Sequence, residues 1–274
     1  MNLLLSDPAF LSAAAGAAPL LLDTYTGAAA AYSLRQLRTG VTNVVRVRRS
    51  SDNIEQDFTA AQITDGTLAA FCGVGNGFIR TWYDQSGNGN NATQTTASSQ
   101  PQIVANGALI TANGTIGLRF AVDNTDGDIH LSLGALALPQ PISIFAAASR
   151  ASTTDRQALY ANNDASFQIA THVDAQVRIF ASAILSYQIA PTTGKQLHTG
   201  IFNGASSIAA FNGATTTGDA GTNGIAANSR ISGLGVVSQY QWIGSVYELI
   251  IYPSNQSTNR AAIEANINSH YAIF

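Results

Sequence analysis

Hydrophobic and polar residues alternate along most of the chain after residue 102, which is the period of a β-strand with one buried face. The clearest alternating runs cover residues 116–120, 142–148, 167–169, 177–181, 197–202, 208–211, 230–237 and 242–252. Turns such as Asn203-Gly204 and Asn212-Gly213 separate several of them. Because no helical segments alternate with these runs, the pattern predicts an all-β fold, an antiparallel β-sandwich.

A β-hairpin is the best-determined local structure that the pattern predicts. Two alternating runs flank the four residues 50–53. Closing the hairpin on that loop places Arg48 opposite Glu55 and Arg46 opposite Asp57. Such exposed charged pairs fix the register of two strands more than they stabilise them. The charged face is therefore interpreted as a solvated outer face, not as a binding site.

Four segments have the pattern of a helix. They are residues 9–18, 28–37, 66–73 and 257–271. The last follows Pro253 and places Ile263, Ile267 and Tyr271 on one face. We divide the chain into an N-terminal arm, residues 1–30, and a sandwich domain, residues 31–274. The apolar arm would pack either on its own domain or on a neighbouring subunit, and the sequence leaves both open.

A polar turn follows the β-prone run 78–83, in which Phe78 and Trp82 fall on one face. It reads Asp84-Gln85-Ser86-Gly87-Asn88-Gly89. Asp84 can accept hydrogen bonds from the backbone that follows it, and the two glycines permit positive φ. We predict a structural turn here and not a binding site.

Two stretches of the sequence resemble known proteins. WYDQSGNGNNATQ resembles a turn of laminin-G/concanavalin-A-like sandwiches, including the catalytic domain of arabinofuranosidase B. WIGSVYELIIYPSNQSTNRAAIEANINSHY resembles the last strand and helix of laminin-G-like domains. With AYSLRQLRTG and VRVRRSSDN upstream, the first string also resembles structural proteins of tailed bacteriophages. The resemblance covers residues 28–94 and 240–272, and it implies a concanavalin-A/laminin-G-like jelly-roll.

The composition indicates a surface of uncharged polar residues. Hydrophobic residues make up 46% of the 274 residues and charged residues 11%, against roughly 25% charged residues in an average globular chain. The net charge of −3 and the lack of a basic stripe argue against nucleic acid as a partner. No run is long enough for a membrane span. The N-terminus lacks the basic region of a signal peptide, and Cys72 is the only cysteine, which suits folding in a reducing cytoplasm.

The acidic residues do not form a recognisable catalytic pair. The arabinofuranosidase resemblance implies two carboxylates that flank the sugar. The only glutamates are Glu55, Glu248 and Glu264, so the central part of the chain has none. Aspartates could substitute, and Asp84, Asp126, Asp128, Asp164 and Asp174 are the candidates, but no spacing selects two of them. We therefore predict no catalytic residue.

Ligand sites are predicted at two other places. Asp123, Asp126 and Asp128 form the densest group of carboxylates, which is either a calcium site or a plain acidic turn. No other cofactor is predicted. Sugar binding without catalysis would use aromatic platforms, for which Tyr240, Tyr187 and Trp242 are candidates. Of these, Trp242 is more typical of a core residue and Tyr240 of an exposed one, and the Gly/Thr/Asn-rich run 212–229 would form a rim loop.

The function we expect is that of a non-enzymatic bacteriophage virion protein, in the tail (fibre, tip or baseplate) or decorating the head. It would assemble in the host cytoplasm as a homo-oligomer with other virion proteins. Its role would be to bind host cell-surface polysaccharide or to serve as an assembly module. The alternative is a glycan-degrading glycoside hydrolase related to arabinofuranosidase B.

Overall fold

The protein folds as an antiparallel β-sandwich with few helices, as the computed structural model shows. The structure describes residues 19–120, 128–153, 155–172, 175–190, 192–235 and 240–274. The helices are α1 Leu21–Thr24, α2 Ala60–Thr64, α3 Thr67–Cys72 and α4 Arg260–Tyr271, with a 3-10 turn at Ala97–Ser99. The strands are β1 Ala30–Ser33, β2 Asn43–Arg49, β3 Glu55–Thr59, β4 Gly77–Trp82, β5 Ala92–Thr93, β6 Gln102–Ala105, β7 Ala108–Leu109, β8 Thr111–Ala112, β9 Thr115–Ile116, β10 Leu118–Arg119, β11 Leu131–Ser132, β12 Ile142–Arg150, β13 Gln157–Ala161, β14 Gln168–His172, β15 Gln176–Phe180, β16 Ile184–Gln188, β17 Lys195–Phe202, β18 Ser207–Phe211, β19 Ala214–Gly218, β20 Arg230–Ile231 and β21 Gly244–Tyr252.

The strands form two layers. In the first layer β21 pairs with β1, β10 and β12, and β12 is followed by β17, β18 and β19. In the second layer the order is β3, β2, β4, β5, β11, β20, β13, β14, β15 and β16. The layers are joined at β10, which pairs with β21 of the first layer and with β6, and β6 in turn pairs with β4 of the second layer. All of these pairings are antiparallel.

The two central strands of the first layer are covered on both faces. Every residue of β12 and of β21 is buried. One face of these strands packs against the second layer, and the other packs against α4 and α1. The C-terminal helix is confirmed, and Ile263, Ile267 and Tyr271 are its buried residues together with Glu264. A strand with two covered faces needs apolar residues at successive positions and not only at alternate ones, which explains the unbroken apolar run near the end of β21.

The predicted hairpin is confirmed in its register. Arg48 lies opposite Glu55, and Arg46 lies opposite Asp57. Arg46 donates to Asp57 at 2.7 Å. Arg48 instead donates to Gln100 at 2.8 Å, and Glu55 lies 3.5 Å from Arg80. The partner of Glu55 thus comes from the neighbouring strand β4, which the hairpin pattern alone could not reveal.

The helix predicted at residues 28–37 is wrong, because residues 30–33 form strand β1. Helical propensity is weak compared with the hydrogen bonds that the free edge of β21 offers to a paired strand. Ala30 to Ser33 pair with Ile251 to Glu248, and all four residues of β1 are buried.

The face predicted for β4 is also wrong. Ile79 and Trp82 are buried, whereas Phe78 is half-exposed. Val47 lies opposite Ile79 and Arg46 opposite Thr81, so Arg80 is an extra residue that shifts the alternation. A β-bulge of this kind moves every following side chain to the other face.

The N-terminal segment is described from residue 19 onward. Leu21 and Leu22 of α1 are buried, and they pack in the cluster that contains Leu37, Tyr252 and Ile263. The part from residue 19 to 30 therefore packs on the sandwich, and the rest of the predicted arm lies outside the described residues. None of the helices in the described ranges is long and apolar enough to cross a membrane.

Candidate functional site

A cleft of about 980 Å³ opens where four loop segments converge at one end of the sandwich. These segments are residues 137–141 before β12, the β13–β14 turn, the start of the β17–β18 turn, and residues 222–226. The lining residues are Ala137, Leu138, Pro139, Gln140, Pro141, Asn162, Asp164, Ser166, Asn203, Gly204, Thr222, Asn223, Gly224, Ile225 and Ala226.

A short backbone bridge joins two of the segments. Leu138 and Ile225 exchange two N–H to O=C hydrogen bonds, each of 2.9 Å. The neighbouring Gly224 allows this approach, since a Cβ there would lie 2.1 Å from the Leu138 carbonyl oxygen. Only glycine fits at such a position without displacing the backbone.

Two side-chain amides hold the remaining segments together. Gln140 donates to the carbonyls of Gly221 and Asn223, at 3.0 and 2.7 Å, and accepts from the Gly204 N–H at 2.8 Å. Asn162 is 1% exposed. Its amide donates to Ser166 and to the Gly224 carbonyl, at 3.0 Å each, and accepts from the Ala226 N–H at 2.9 Å. The cleft is therefore built by hydrogen bonds that are complete before any ligand enters.

Asp164 is the one ionisable residue among the described residues that line the cleft. Its carboxylate accepts from the Ser166 hydroxyl at 2.6 Å and from the Ser166 N–H at 3.0 Å. These hydrogen bonds lower the pKa of Asp164 below its usual range. The exposed carboxylate is thus ionised at neutral pH, and it has more lone pairs than these two hydrogen bonds use.

The chemistry of the cleft is that of a neutral polar surface. Its walls present amides, hydroxyls and backbone groups beside small apolar side chains. Such groups can donate to and accept from sugar hydroxyls. Hydrolysis by a retaining or inverting glycosidase needs two carboxyl groups about 5–9.5 Å apart. Along the described part of the lining there is a single carboxylate.

Comparison with solved structures finds a similar fold in two arabinofuranosidase structures. A variant of a GH54 α-L-arabinofuranosidase soaked with 4-nitrophenyl α-L-arabinofuranoside matches with a TM-score of 0.67 and 15% identity, over 92% of this chain and 64% of that one. An arabinofuranosidase complexed with arabinofuranosyl-α-1,2-xylobiose matches with a TM-score of 0.64 and 16% identity, over the same shares. The chain thus spans 64% of their length. At this identity the likeness shows a common β-sandwich fold. No family model and no curated relative matches the sequence.

The predicted aromatic platforms lie outside the cleft lining. Trp242 is fully buried, and its indole N–H donates to the Ser149 carbonyl at 3.1 Å. Its ring therefore presents no surface to a ligand. Tyr240 is half-buried, with the Arg156 guanidinium 4.7 Å from its ring centre. Tyr187 is half-buried against a small apolar cluster.

The predicted calcium ligands are described only in part. Asp123 and Asp126 lie outside the described residues. Both carboxylate oxygens of Asp128 accept from Arg230, at 2.9 and 3.1 Å. His130 lies 3.3 Å from the same carboxylate. No group of three potential metal ligands occurs in the described ranges, and the calcium site stays a prediction.

Glu248 is a buried structural residue. Arg35 donates to both of its carboxylate oxygens, at 2.8 and 2.9 Å. The Ser33 hydroxyl donates to Glu248 at 2.8 Å, and the Tyr271 hydroxyl donates to Glu248 at 3.1 Å. These hydrogen bonds join β1, β21 and α4, and the carboxylate has no exposed surface.

Only weak signals in the sequence point to the residues of the cleft. The pattern predicts a turn at Asn203-Gly204, and the rim loop predicted at 212–229 contains the lining residues 222–226. Nothing in the spacing indicates that these turns converge on Gln140 and Asn162. That convergence depends on pairings between strands far apart in the chain.

Proposed function

We propose that the protein recognises carbohydrate in the cleft formed by residues 137–141, 162–166, 203–204 and 222–226. The observation that carries this proposal is the cleft itself, an open, preassembled surface depression whose described lining offers uncharged hydrogen-bonding groups and one carboxylate. The volume of about 980 Å³ suits a short oligosaccharide, since ligand clefts typically span roughly 300–1,000 Å³. The resemblance in fold to arabinofuranosidases supports the same class of ligand.

A glycan array that includes arabinoxylan oligosaccharides and host-surface polysaccharides tests the proposal. We expect selective binding that Asn203→Ala weakens, because Asn203 lines the cleft. Asn53→Ala serves as the control, since Asn53 lies in the β2–β3 turn outside the cleft lining. Binding that both variants weaken equally, or no binding to any glycan, would contradict the proposal.

Glycoside hydrolysis is the second candidate. The structural match to arabinofuranosidases over 92% of the chain favours it, and Asp164 is the described carboxylate in the cleft. Release of 4-nitrophenol from 4-nitrophenyl α-L-arabinofuranoside, abolished by Asp164→Asn, would establish this activity. An unchanged rate in that variant would argue against Asp164 as a catalytic residue.

A place in a bacteriophage virion is a separate proposal, which rests on the string AYSLRQLRTG and the charge-poor surface. It predicts a homo-oligomer that assembles with other virion proteins. Mass spectrometry of purified virions and the solution mass of the protein test it. A monomer that no virion contains would contradict it.

A further inference from the structure

Arg230 connects two distant parts of the chain, one of which adjoins the cleft lining. It belongs to β20, and its side chain is 10% exposed. Its Nε donates to the side-chain oxygen of Asn163 at 2.8 Å. Its Nη1 donates to Asp128 at 2.9 and 3.1 Å. A buried guanidinium is stable only when it is paired in this way, because removing the charge from water is costly.

Asn163 stands between two residues of the cleft wall and does not itself line the cleft. Its neighbours Asn162 and Asp164 do. Gly235 packs against Asn163 from the other side, since a Cβ at Gly235 would lie 2.4 Å from the Asn163 side-chain oxygen. The side chain of Asn163 is therefore held between Arg230 and the backbone at Gly235.

We propose that Arg230 is a positioning residue for the cleft, acting through Asn163. The inference rests on the proposed function. The Arg230–Asn163 bond fixes the backbone between Asn162 and Asp164. Asn162 thereby keeps its hydrogen bonds to Ser166 and to the Gly224 carbonyl, and Asp164 keeps its place in the cleft lining. Asp128 holds the guanidinium in a fixed direction, since a carboxylate that accepts from it through both oxygens restricts its rotation. The positive charge of Arg230 is thus paired outside the cleft lining, and the same side chain orders the cleft wall through Asn163.

The two partners of Arg230 explain why an arginine is needed. A lysine at position 230 would keep the charge beside Asp128, but one ammonium group cannot reach Asp128 and Asn163 in the fork geometry of a guanidinium. Arg230→Lys is therefore a variant that preserves the ion pair and loses the bond to Asn163.

A double-mutant cycle on glycan affinity tests the proposal. The dissociation constant for an arabinoxylan oligosaccharide, or for the glycan that the array selects, is measured for wild type, Arg230→Lys, Asn163→Ala and the double variant. We expect each single change to weaken binding about tenfold, the lower end of the loss that removing an outer-shell partner causes at metal sites. The double variant should bind no more weakly than either single one, because both changes remove the same bond.

The control is Arg46→Lys, which alters an arginine–aspartate pair outside the cleft lining. It should leave the dissociation constant unchanged. Unchanged affinity in Arg230→Lys, or fully additive losses in the double variant, would overturn the positioning role while leaving glycan binding intact. Failure of the wild-type protein to bind any glycan would instead overturn the proposed function. Thermal unfolding of each variant, measured in parallel, ensures that the affinities refer to folded protein.

Discussion

Asp84 accepts the backbone N–H of Ala31 at 2.9 Å, across 53 residues of sequence. The same carboxylate accepts from the Ser86 N–H at 2.8 Å, from the Ser86 hydroxyl at 2.7 Å and from the Asn90 N–H at 3.0 Å. The turn after β4 is therefore the anchor of strand β1. Because β1 lies along β21, this single side chain connects the second layer to the edge of the first.

Asp84→Ala should destabilise the protein without affecting the cleft. The change leaves partly buried donors without an acceptor, which costs on the order of 1–3 kcal/mol in the free energy of unfolding. Asp84→Asn keeps one acceptor oxygen and should lose less. Urea unfolding measures the cost, and titration with the glycan should give an unchanged dissociation constant for the folded variant. Normal stability with lost binding would instead make Asp84 part of a site.

The two arginine–carboxylate pairs Arg35–Glu248 and Arg46–Asp57 should differ greatly in their effect on stability. In the first pair the side chains are 17% and 0% exposed, and in the second 42% and 28%. Arg35→Met leaves a buried carboxylate without its cation, which costs about 3–5 kcal/mol. Arg46→Met should cost about 0–1 kcal/mol, as exposed pairs do. Similar urea midpoints for the two variants would contradict this difference.

His198 should make the stability fall as the pH drops below neutrality. Burial, with a smaller effect from the Arg150 charge, lowers the pKa of His198 to about 3. Unfolded protein takes up this proton near pH 6.5 and folded protein only near the lowered pKa, so the unfolded state binds more protons between those values. The free energy of unfolding should therefore decrease by about 1.4 kcal/mol per pH unit below 6.5 from this group.

His198→Gln should reduce the dependence of the free energy of unfolding on pH. A smaller dependence should remain in this variant, because burial also lowers the pKa of His270. Urea unfolding from pH 7 to pH 5 compares the two proteins above the range in which carboxylates titrate. Equal slopes in wild type and variant would show that His198 does not carry the effect.

Local patterns predicted the parts of the fold that depend on neighbours in sequence. Charge and turn chemistry gave the β2–β3 register, and the spacing of Ile263, Ile267 and Tyr271 gave the buried face of α4. The predicted turn at Asp84 has the hydrogen bonds expected of it. In each of these cases the determining partner lies within a few residues.

The parts that could not be predicted depend on distant pairings. The helical pattern of residues 28–37 is overridden because the edge of β21 lies beside it. The core position favoured for Trp242 agrees with its burial, but its contact with the His198 ring, 44 residues away, has no local signal. The cleft comes from four turns that the strand order brings together, and the amides of Gln140 and Asn162 bond across them. No spacing within the sequence encodes those contacts.

Disrupting the backbone bridge that shapes the cleft is the most direct test of the central claim. Gly224→Ala adds a Cβ that would lie 2.1 Å from the Leu138 carbonyl oxygen, so the Leu138–Ile225 bridge must open. Gly194→Ala is the control, since its Cβ would meet only the Thr192 hydroxyl, at 3.2 Å. Titration calorimetry with an arabinoxylan oligosaccharide, or with the glycan that the array selects, should give wild-type affinity for Gly194→Ala and at least about tenfold weaker binding for Gly224→Ala. Equal affinity of folded Gly224→Ala and wild-type protein would contradict carbohydrate recognition in this cleft.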